Sequence, residues 1–398
     1  HRTVCANLDA IRIAGEVDVD DDVLVSWLPL YHDMGLVGFC IAPVMAQASV
    51  DYLATSAFAR RPALWLTLMS ANRSTVTYSP SFGYELAGQR INGDAVKLDL
   101  SQLRVAGIGG DMVRPDVLET FSRRLAVARF DPKAFLPSYG MAESTLAVTI
   151  AELDEPVKVD VIDRAQCKLW RKAVPANGRR RFNPEKVCNF VVCGKPLPDH
   201  ELKVVDDKGR VLGERGIGHI LVKGPSLMAG YFGNDEATRS VMREDGFMDT
   251  GDMGYLIGGE IVITGRAKDL ILHNGRNIWP QDIEWTVERV AWVRGGDAAA
   301  IAVETAEGED RLVVLLQCRA AGREEMEVLR RSIAAAVHRS AGVDCDVVLV
   351  APRSLPFTSS GKLSRAAAKA GYLAGEIAEI SPPRSANYAK PRLVAAAS

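Results

Sequence analysis

The 398 residues carry 48 Lys and Arg against 50 Asp and Glu, a formal net charge of −2. That balance provides no concentrated basic field for nucleic acid or an acidic membrane surface as main partner. Seven cysteines, an odd number with no C-x-x-C pair, argue against a zinc site or a disulfide framework and for a reducing, cytoplasmic setting.

The opening residues, HRTVCANLDAIRIAGEV, read as a helix already under way, so an upstream portion of a longer protein is expected. Leu36 to Ala46 is the longest apolar run and is too short to span a bilayer, so no integral membrane segment is predicted. From about residue 23 to 137, β-branched or apolar runs (VLVSW, STVTY, LRVAGIG, AFLPS) alternate with helical patterns (PALWLTLMSAN, GYELAGQRI, PDVLETFSRRLA). This alternation predicts an α/β fold with a doubly wound parallel sheet. Within 146–192 the rhythm is lost in an irregular insertion containing KLWRKAVPANGRRRFNPEK, whose basic run with Trp170 and Phe182 reads as a solvated face. HELKVVDDKGRVL, GIGHILVKG and GYLIGGEIVITG then predict a β-rich subdomain over 193–265, with turns at DDKG and GG. A small mobile α+β domain is expected over 266–375, with a helix presenting Met326, Leu329, Ile333 and Val337 on one face, followed by a Pro- and Ala-rich tail, 376–398.

Several segments admit a chemical role beside a structural one. PFTSSGKLSR holds Lys362, but Pro356 and Leu363 occupy positions that a Walker loop gives to glycine and Ser or Thr, so a P-loop is excluded. Lys362 is then either a mobile charge for converging oxyanions or part of a helix-capping loop. Gly265-Arg266-Ala267-Lys268-Asp269 is either a hairpin with surface ion pairs or a hinge with phosphate-facing cations. Asp252, in DTGD at a strand entrance, can accept both hydroxyls of a ribose or simply bond its own turn. PSYGMAEST follows a predicted parallel strand, where ligands bind in open α/β sheets; Tyr139 can stack on a base and Glu143 hold magnesium, or both can serve a turn and a helix start. Gly109, Gly110 and Asp111 sit at the same sheet edge, where glycines either admit a flat ring or make a tight turn. His32 and Asp33 are adjacent and are expected to point apart, so no dyad is predicted, although His32 can face a ligand.

The order YGMAE, G-P-x₄-G-Y (Gly224 to Tyr231), DTGD, GRAKDLI, NGRNIWP and SSGK-x-x-R resembles the adenylate-forming superfamily of acyl- and aryl-CoA synthetases, luciferases and adenylation domains, along nearly the whole chain. WLPLYHDMGL and PSYGMAEST are similar to its fatty acyl-AMP ligase branch, and the 146–192 segment to that branch's insertion. The resemblance implies ATP-dependent conversion of a long-chain fatty acid to acyl-AMP with release of pyrophosphate. Transfer to the phosphopantetheine of an acyl carrier protein, or of a polyketide or nonribosomal peptide synthase, would follow. It also implies that Tyr139, Gly140, Met141 and the Gly109-Gly110-Asp111 turn frame the adenine, Asp252 and Arg266 meet ribose or phosphate, and Glu143 places Mg2+. His32 would lie near the reacting carboxylate, Lys362 would be the travelling catalytic charge and Lys268 the hinge. Ala142 stands where many members of the superfamily carry threonine. HRTVCAN resembles the segment just after the superfamily's phosphate loop, which is not found here. The alternatives are an acyl-CoA synthetase and, from another class, an inactive fragment acting only as a binding module.

Overall fold

The four predicted runs become parallel strands β1 (Val23–Ser26), β3 (Val76–Ser79), β4 (Val105–Ile108) and β5 (Phe135–Gly140), and the polar, exposed-to-half-buried β2 (Ser49–Tyr52) joins them parallel at the edge beside β1. The computed structural model describes residues 1–380 apart from 19, 274, 275, 292, 294, 305–309, 320, 321, 359 and 360. Asn274 and Gly275 of NGRNIWP, Ser359 and Ser360 of SSGK and the predicted tail beyond 380 therefore lie outside the described residues. β6 (Ala147–Ile150) turns back antiparallel to β5. After β7 (Val159–Asp163) and β8 (Val187–Val191) comes β9 (Lys195–Pro196), which completes a seven-stranded sheet ordered β2-β1-β3-β4-β5-β6-β9. All four residues of β4 are buried, as expected of a central parallel strand covered on both faces.

The covering helices carry the matching stripes. Helix Pro115–Leu125 buries Val117, Leu118, Phe121 and Leu125, starts with proline and ends with Arg123 and Arg124 in its last turn, complementing the helix dipole. Phe121 meets Tyr84, Phe130 and Phe135 with ring centroids 5.1–5.8 Å apart in tilted or edge-on packing. Tyr84 is fully buried, and its hydroxyl donates to the Gly107 carbonyl at 2.9 Å, so its polar end is satisfied. The first helix, Arg2–Ala14, is tied to β6 by buried Asn7, which donates to the Ala147 carbonyl at 2.7 Å and accepts from its amide at 3.1 Å.

The segment 146–192 is more ordered than its composition predicts. Its first residues are strand β6, and β7 pairs antiparallel with β8 across a helix, Arg164–Trp170, and a short 3₁₀ turn, Gly178–Phe182. The pairing was hidden because partners such as Val159 and Val191 lie far apart in sequence with no hairpin turn between them. Ile162, Cys188 and Phe190 pack with Met253, Tyr255, Val262 and Trp279 in a core of their own. Asp160 fastens this hairpin: it accepts from Tyr255 Oη at 2.7 Å and from Arg215 at 3.0 and 3.3 Å.

A four-stranded antiparallel sheet follows, built from β10 (Glu201–Val205), β11 (Gly218–Lys223), β12 (Met248–Ile257) and β13 (Glu260–Arg266). The β12–β13 turn uses Gly258 and Gly259 at φ 57° and 80°, the two positive values that a type I′ hairpin demands. A small hairpin, β14 (Ile271–His273) and β15 (Arg276–Ile278), closes the first of two compact units, His1–Trp279 and Pro280–Ser398.

The second unit holds β16 (Ala298–Glu304), β17 (Asp310–Gln317) and β18 (Asp346–Val350), with β16 antiparallel and β18 parallel to β17. Helices Pro280–Ala291, Arg323–Ala341 and Arg365–Leu373 accompany them; the second buries Met326, Ile333 and Val337, with Leu329 only half-buried. Arg365 grips buried Glu284 with two bonds of 2.8 and 2.6 Å, the forked geometry that suits guanidinium to carboxylate. The fold is therefore α/β with a parallel-rich sheet and further β sheets. All seven cysteines are free, and no helix among the described residues is long and apolar enough to cross a membrane.

Candidate functional site

Because β1, β3, β4 and β5 run parallel, their carboxyl ends open on one sheet edge, where ligands of open α/β sheets bind. The loop after β1 carries His32, the loop after β4 carries Gly109, Gly110 and Asp111, and β5 ends in Tyr139 and Gly140 before Met141 and Glu143. Gly110 has φ 80°, and a Cβ there would lie 3.2 Å from Met34 Cε, so the β4 and β1 loops touch. Asp111 turns toward the β3 end, where its Oδ1 accepts from the Ser81 amide at 3.0 Å and hydroxyl at 3.1 Å.

The β12–β13 sheet supplies the other wall. Tyr139 Oη donates to Asp252 Oδ2 at 2.8 Å, and Arg266 Nε stands 3.2 Å from Asp252 Oδ1. Asp252 and Arg266 are cross-strand partners, so the pair is set by the β12–β13 register. Burial, and after it the Asp252 charge, hold the Tyr139 phenol well above its ordinary range and keep it a donor. The turn role in DTGD falls to Asp249, whose Oδ1 accepts from the Gly251 amide at 3.0 Å, with Gly251 at φ 71°. Asp252 is thereby left to face Tyr139 and Arg266.

Glu143 lies in a single 3₁₀ turn, Ala142–Ser144. Its Oε1 accepts from Tyr231 Oη at 2.9 Å, and its carbonyl accepts from the Met228 amide at 2.8 Å. Burial first, then the bond to Glu143, raise the Tyr231 phenol above its ordinary range. One carboxylate held at one oxygen suits magnesium, which keeps most of its waters and takes one or two carboxylates plus substrate phosphates. Among the described residues no three His, Cys, Asp or Glu gather as a metal cage.

His32 and Asp33 do not point apart as expected. His32 is an N-cap with extended backbone, φ −118° and ψ 145°, outside the regular helix for which the divergence rule holds. Its Nδ1 lies 2.6 Å from Asp33 Oδ1, and the Met34 amide donates to both, at 3.4 Å to His32 Nδ1 and 2.8 Å to Asp33 Oδ1. Lys268 lies in the 3₁₀ turn Ala267–Asp269 directly after β13. Lys362 stands on the second unit; its amide donates to Thr358 Oγ1 at 3.1 Å, and its carbonyl accepts from the Thr358 amide at 2.8 Å. The capping role belongs to Ser364, whose hydroxyl accepts from the Ala367 amide at the start of Arg365–Leu373.

Tyr231, Ser226 and His200 are the neighbours of Glu143 and Ser144 that the sequence did not assign. Only Tyr231 left a signal, as the last residue of the quoted glycine-rich motif.

Comparison with known proteins bears on this arrangement. The AMP-binding enzyme family profile matches residues 1–232, and that of the AMP-binding enzyme C-terminal domain matches residues 275–369. A putative acyl-CoA synthetase of Caulobacter vibrioides is 48% identical over 377 residues, 94% of this chain and 65% of its own. The 4-hydroxyphenylalkanoate adenylyltransferase of Mycobacterium tuberculosis is 34% identical over 376 residues, covering 89% of this chain and 59% of its own. A solved structure from work on fatty acyl-adenylate ligases of E. coli and L. pneumophila superposes with a TM-score of 0.87 at 44% identity, covering 94% of this chain and 66% of that one. The chain thus spans less than two thirds of the length of these relatives.

Proposed function

The chain belongs to the AMP-binding enzyme family, and we propose that the protein activates a long-chain fatty acid to acyl-AMP at the expense of ATP. The observation that carries this reading is the Tyr139–Asp252–Arg266 cluster at the carboxyl end of β5, with Glu143 one turn further on. Ribose hydroxyls would donate to Asp252, the Gly109-Gly110-Asp111 turn with Tyr139, Gly140 and Met141 would frame the adenine, and Arg266 would meet ribose or phosphate. Glu143 would hold magnesium beside the phosphates, where the ion supplies neutralising charge. The fatty carboxylate oxygen attacks the α-phosphorus, the bond to the β-phosphate oxygen breaks, and pyrophosphate leaves.

Two anions must meet, so most of the help is positioned positive charge. Lys362 would supply it at the α-phosphate, and His32 would lie near the carboxylate. Rotation about Lys268 would then withdraw Lys362 and open transfer to the phosphopantetheine thiol of a carrier protein or synthase. Gly265 at φ 145°, three residues earlier, supports a pivot there, because glycine adopts backbone that other residues resist.

The name of the 48%-identical Caulobacter relative favours a second reading, transfer to CoA. The deciding experiment gives the full-length protein ATP, C12 to C16 acids and either CoA or a carrier protein bearing phosphopantetheine. Pyrophosphate release with carrier loading is expected; efficient acyl-CoA formation would select the second reading. Lys362→Ala is expected to slow pyrophosphate release by about 10²-fold or more, the scale of losing one charge-stabilising group. A variant as fast as the parent would sink the assignment of Lys362.

A further inference from the structure

We propose that His200 is a positioning residue for the Ala142–Ser144 turn and so for the Glu143 carboxylate; the inference rests on the magnesium-holding reading of Glu143 above. His200 lies just before β10, at the head of HELKVVDDKGRVL, which the sequence marked only as a strand-forming run. Its imidazole is buried and lies against Gly224, so closely that a Cβ at that position would fall 2.3 Å from the ring.

The hydrogen bonds run in one direction by elimination. Nδ1 stands 2.8 Å from the Pro198 carbonyl, which only accepts, so the imidazole proton is on Nδ1. Nε2 is then an acceptor and takes the Ser226 hydroxyl at 2.6 Å. Ser226 Oγ, having donated, accepts from Ser144 Oγ at 2.9 Å. Both serines are fully buried, and Ser144 is the residue after Glu143.

The turn's own fixings are backbone bonds: the Ser144 amide to the Met141 carbonyl at 3.0 Å, the Thr145 amide to the Ala142 carbonyl at 2.9 Å, and the Met141 and Leu146 amides to the Leu146 and Ser144 carbonyls at 2.8 Å. It is three residues long, has no side-chain N-cap, and is followed by Thr145 at φ 69°, a left-handed conformation costly for a β-branched residue. Its side chains are fixed from 226–231: the Ser226 hydroxyl takes Ser144, the Ser226 carbonyl accepts from Thr145 Oγ1 at 3.1 Å, and Tyr231 donates to the Glu143 carboxylate, while the Met228 amide holds the Glu143 carbonyl. His200 is the terminal acceptor that keeps the buried Ser144–Ser226 pair satisfied. Without it, one hydroxyl proton of the pair loses its acceptor away from water, and the turn is the part free to move.

The test uses the full-length protein. His200→Ala is expected to slow acyl-adenylate formation about tenfold and to raise the magnesium concentration for half-maximal rate several-fold, the scale of one unsatisfied buried group. With neither nucleotide nor metal present, hydrogen exchange at the 143–146 amides is expected to quicken in the same variant. His200→Gln, whose amide oxygen can accept from Ser226, is expected to restore most of all three readouts. Unchanged magnesium dependence or unchanged exchange in His200→Ala overturns the proposal, as does a glutamine variant no better than alanine. Glu143→Gln separates the two levels. If it shifts the magnesium dependence and His200→Ala does not, only the positioning role fails; if it shifts nothing, the magnesium reading fails and takes the positioning role with it.

Discussion

Asp160→Ala would release the β7–β8 pair while leaving the carboxyl edge of the parallel sheet intact. Asp160 accepts three bonds, one from Tyr255 Oη and two from Arg215, and Tyr255 is fully buried. Removing the carboxylate strands a phenol and a guanidinium, for which breaking a buried pair costs about 3–5 kcal/mol. Asp160 is 12% and Arg215 26% exposed, so water reaches the guanidinium and part of the loss is recovered. A cost of roughly 2–4 kcal/mol is expected, with charge-assisted bonds at about 1.5–3 kcal/mol setting the lower end. Because the chain has two compact units, a single unfolding midpoint is the wrong assay. Native-state hydrogen exchange reads the hairpin directly, and protection of the β7 and β8 amides is expected to fall roughly 30- to 700-fold with β1 and β3 unchanged. A change below about threefold at the hairpin, on the scale where tenfold is 1.4 kcal/mol, would refute the idea that Asp160 fastens it. An equal loss in β1 and β3 would refute the idea that the fastening is local.

Asp22 is nearly buried; burial alone would raise its pKa, but Arg104, Thr75 and the Asp18 amide outweigh it and hold the carboxyl below its ordinary range. A depressed folded-state pKa gives stability that is present above the unfolded value and lost as pH falls through the folded one. Asp22→Asn is therefore expected to flatten the loss of stability on acidification below about pH 4, measured as native-state hydrogen-exchange protection of the β1 and β3 amides across pH; parallel curves would contradict the assignment. Gly107→Ala would drive a Cβ to 2.1 Å from the Tyr78 ring, between β4 and β3. Overpacking costs typically about 1–3 kcal/mol, so reduced hydrogen-exchange protection of the β3 and β4 amides is expected, and unchanged protection would show that the ring can move aside.

The sequence made the frame legible where the signals are local. VLVSW, STVTY and LRVAGIG lie where β1, β3 and β4 form, because β-branched runs between helical stripes have few other uses. The pair β7–β8 was not legible, since the strands meet across a helix and a 3₁₀ turn rather than a tight hairpin turn. His32 was misjudged because the rule for adjacent side chains holds inside regular elements and His32 sits at an N-cap. PSYGMAEST put Tyr139 and Glu143 in one loop, but the partners of both, Asp252 and Tyr231, come from elsewhere in the chain. The use of His200 left no trace, for a single histidine among prolines carries no pattern, and its bonds to Pro198 and Ser226 with the approach of Gly224 reveal it only in the fold.

The aromatic packing at the start of the β1 loop gives the protein an optical reporter of its own. Trp27 stacks on Phe58 at 3.8 Å and 6°, and its centroid lies 6.2 Å from that of Trp65 at 75° between planes. Two indoles so close and so inclined couple their transitions, so their near-ultraviolet circular dichroism depends on that angle. Trp27 is five residues from His32, so a ligand at His32 that shifts this segment would change the angle between the rings. Occupancy at this corner of the sheet would then read out as a change in ellipticity, without a label and without turnover.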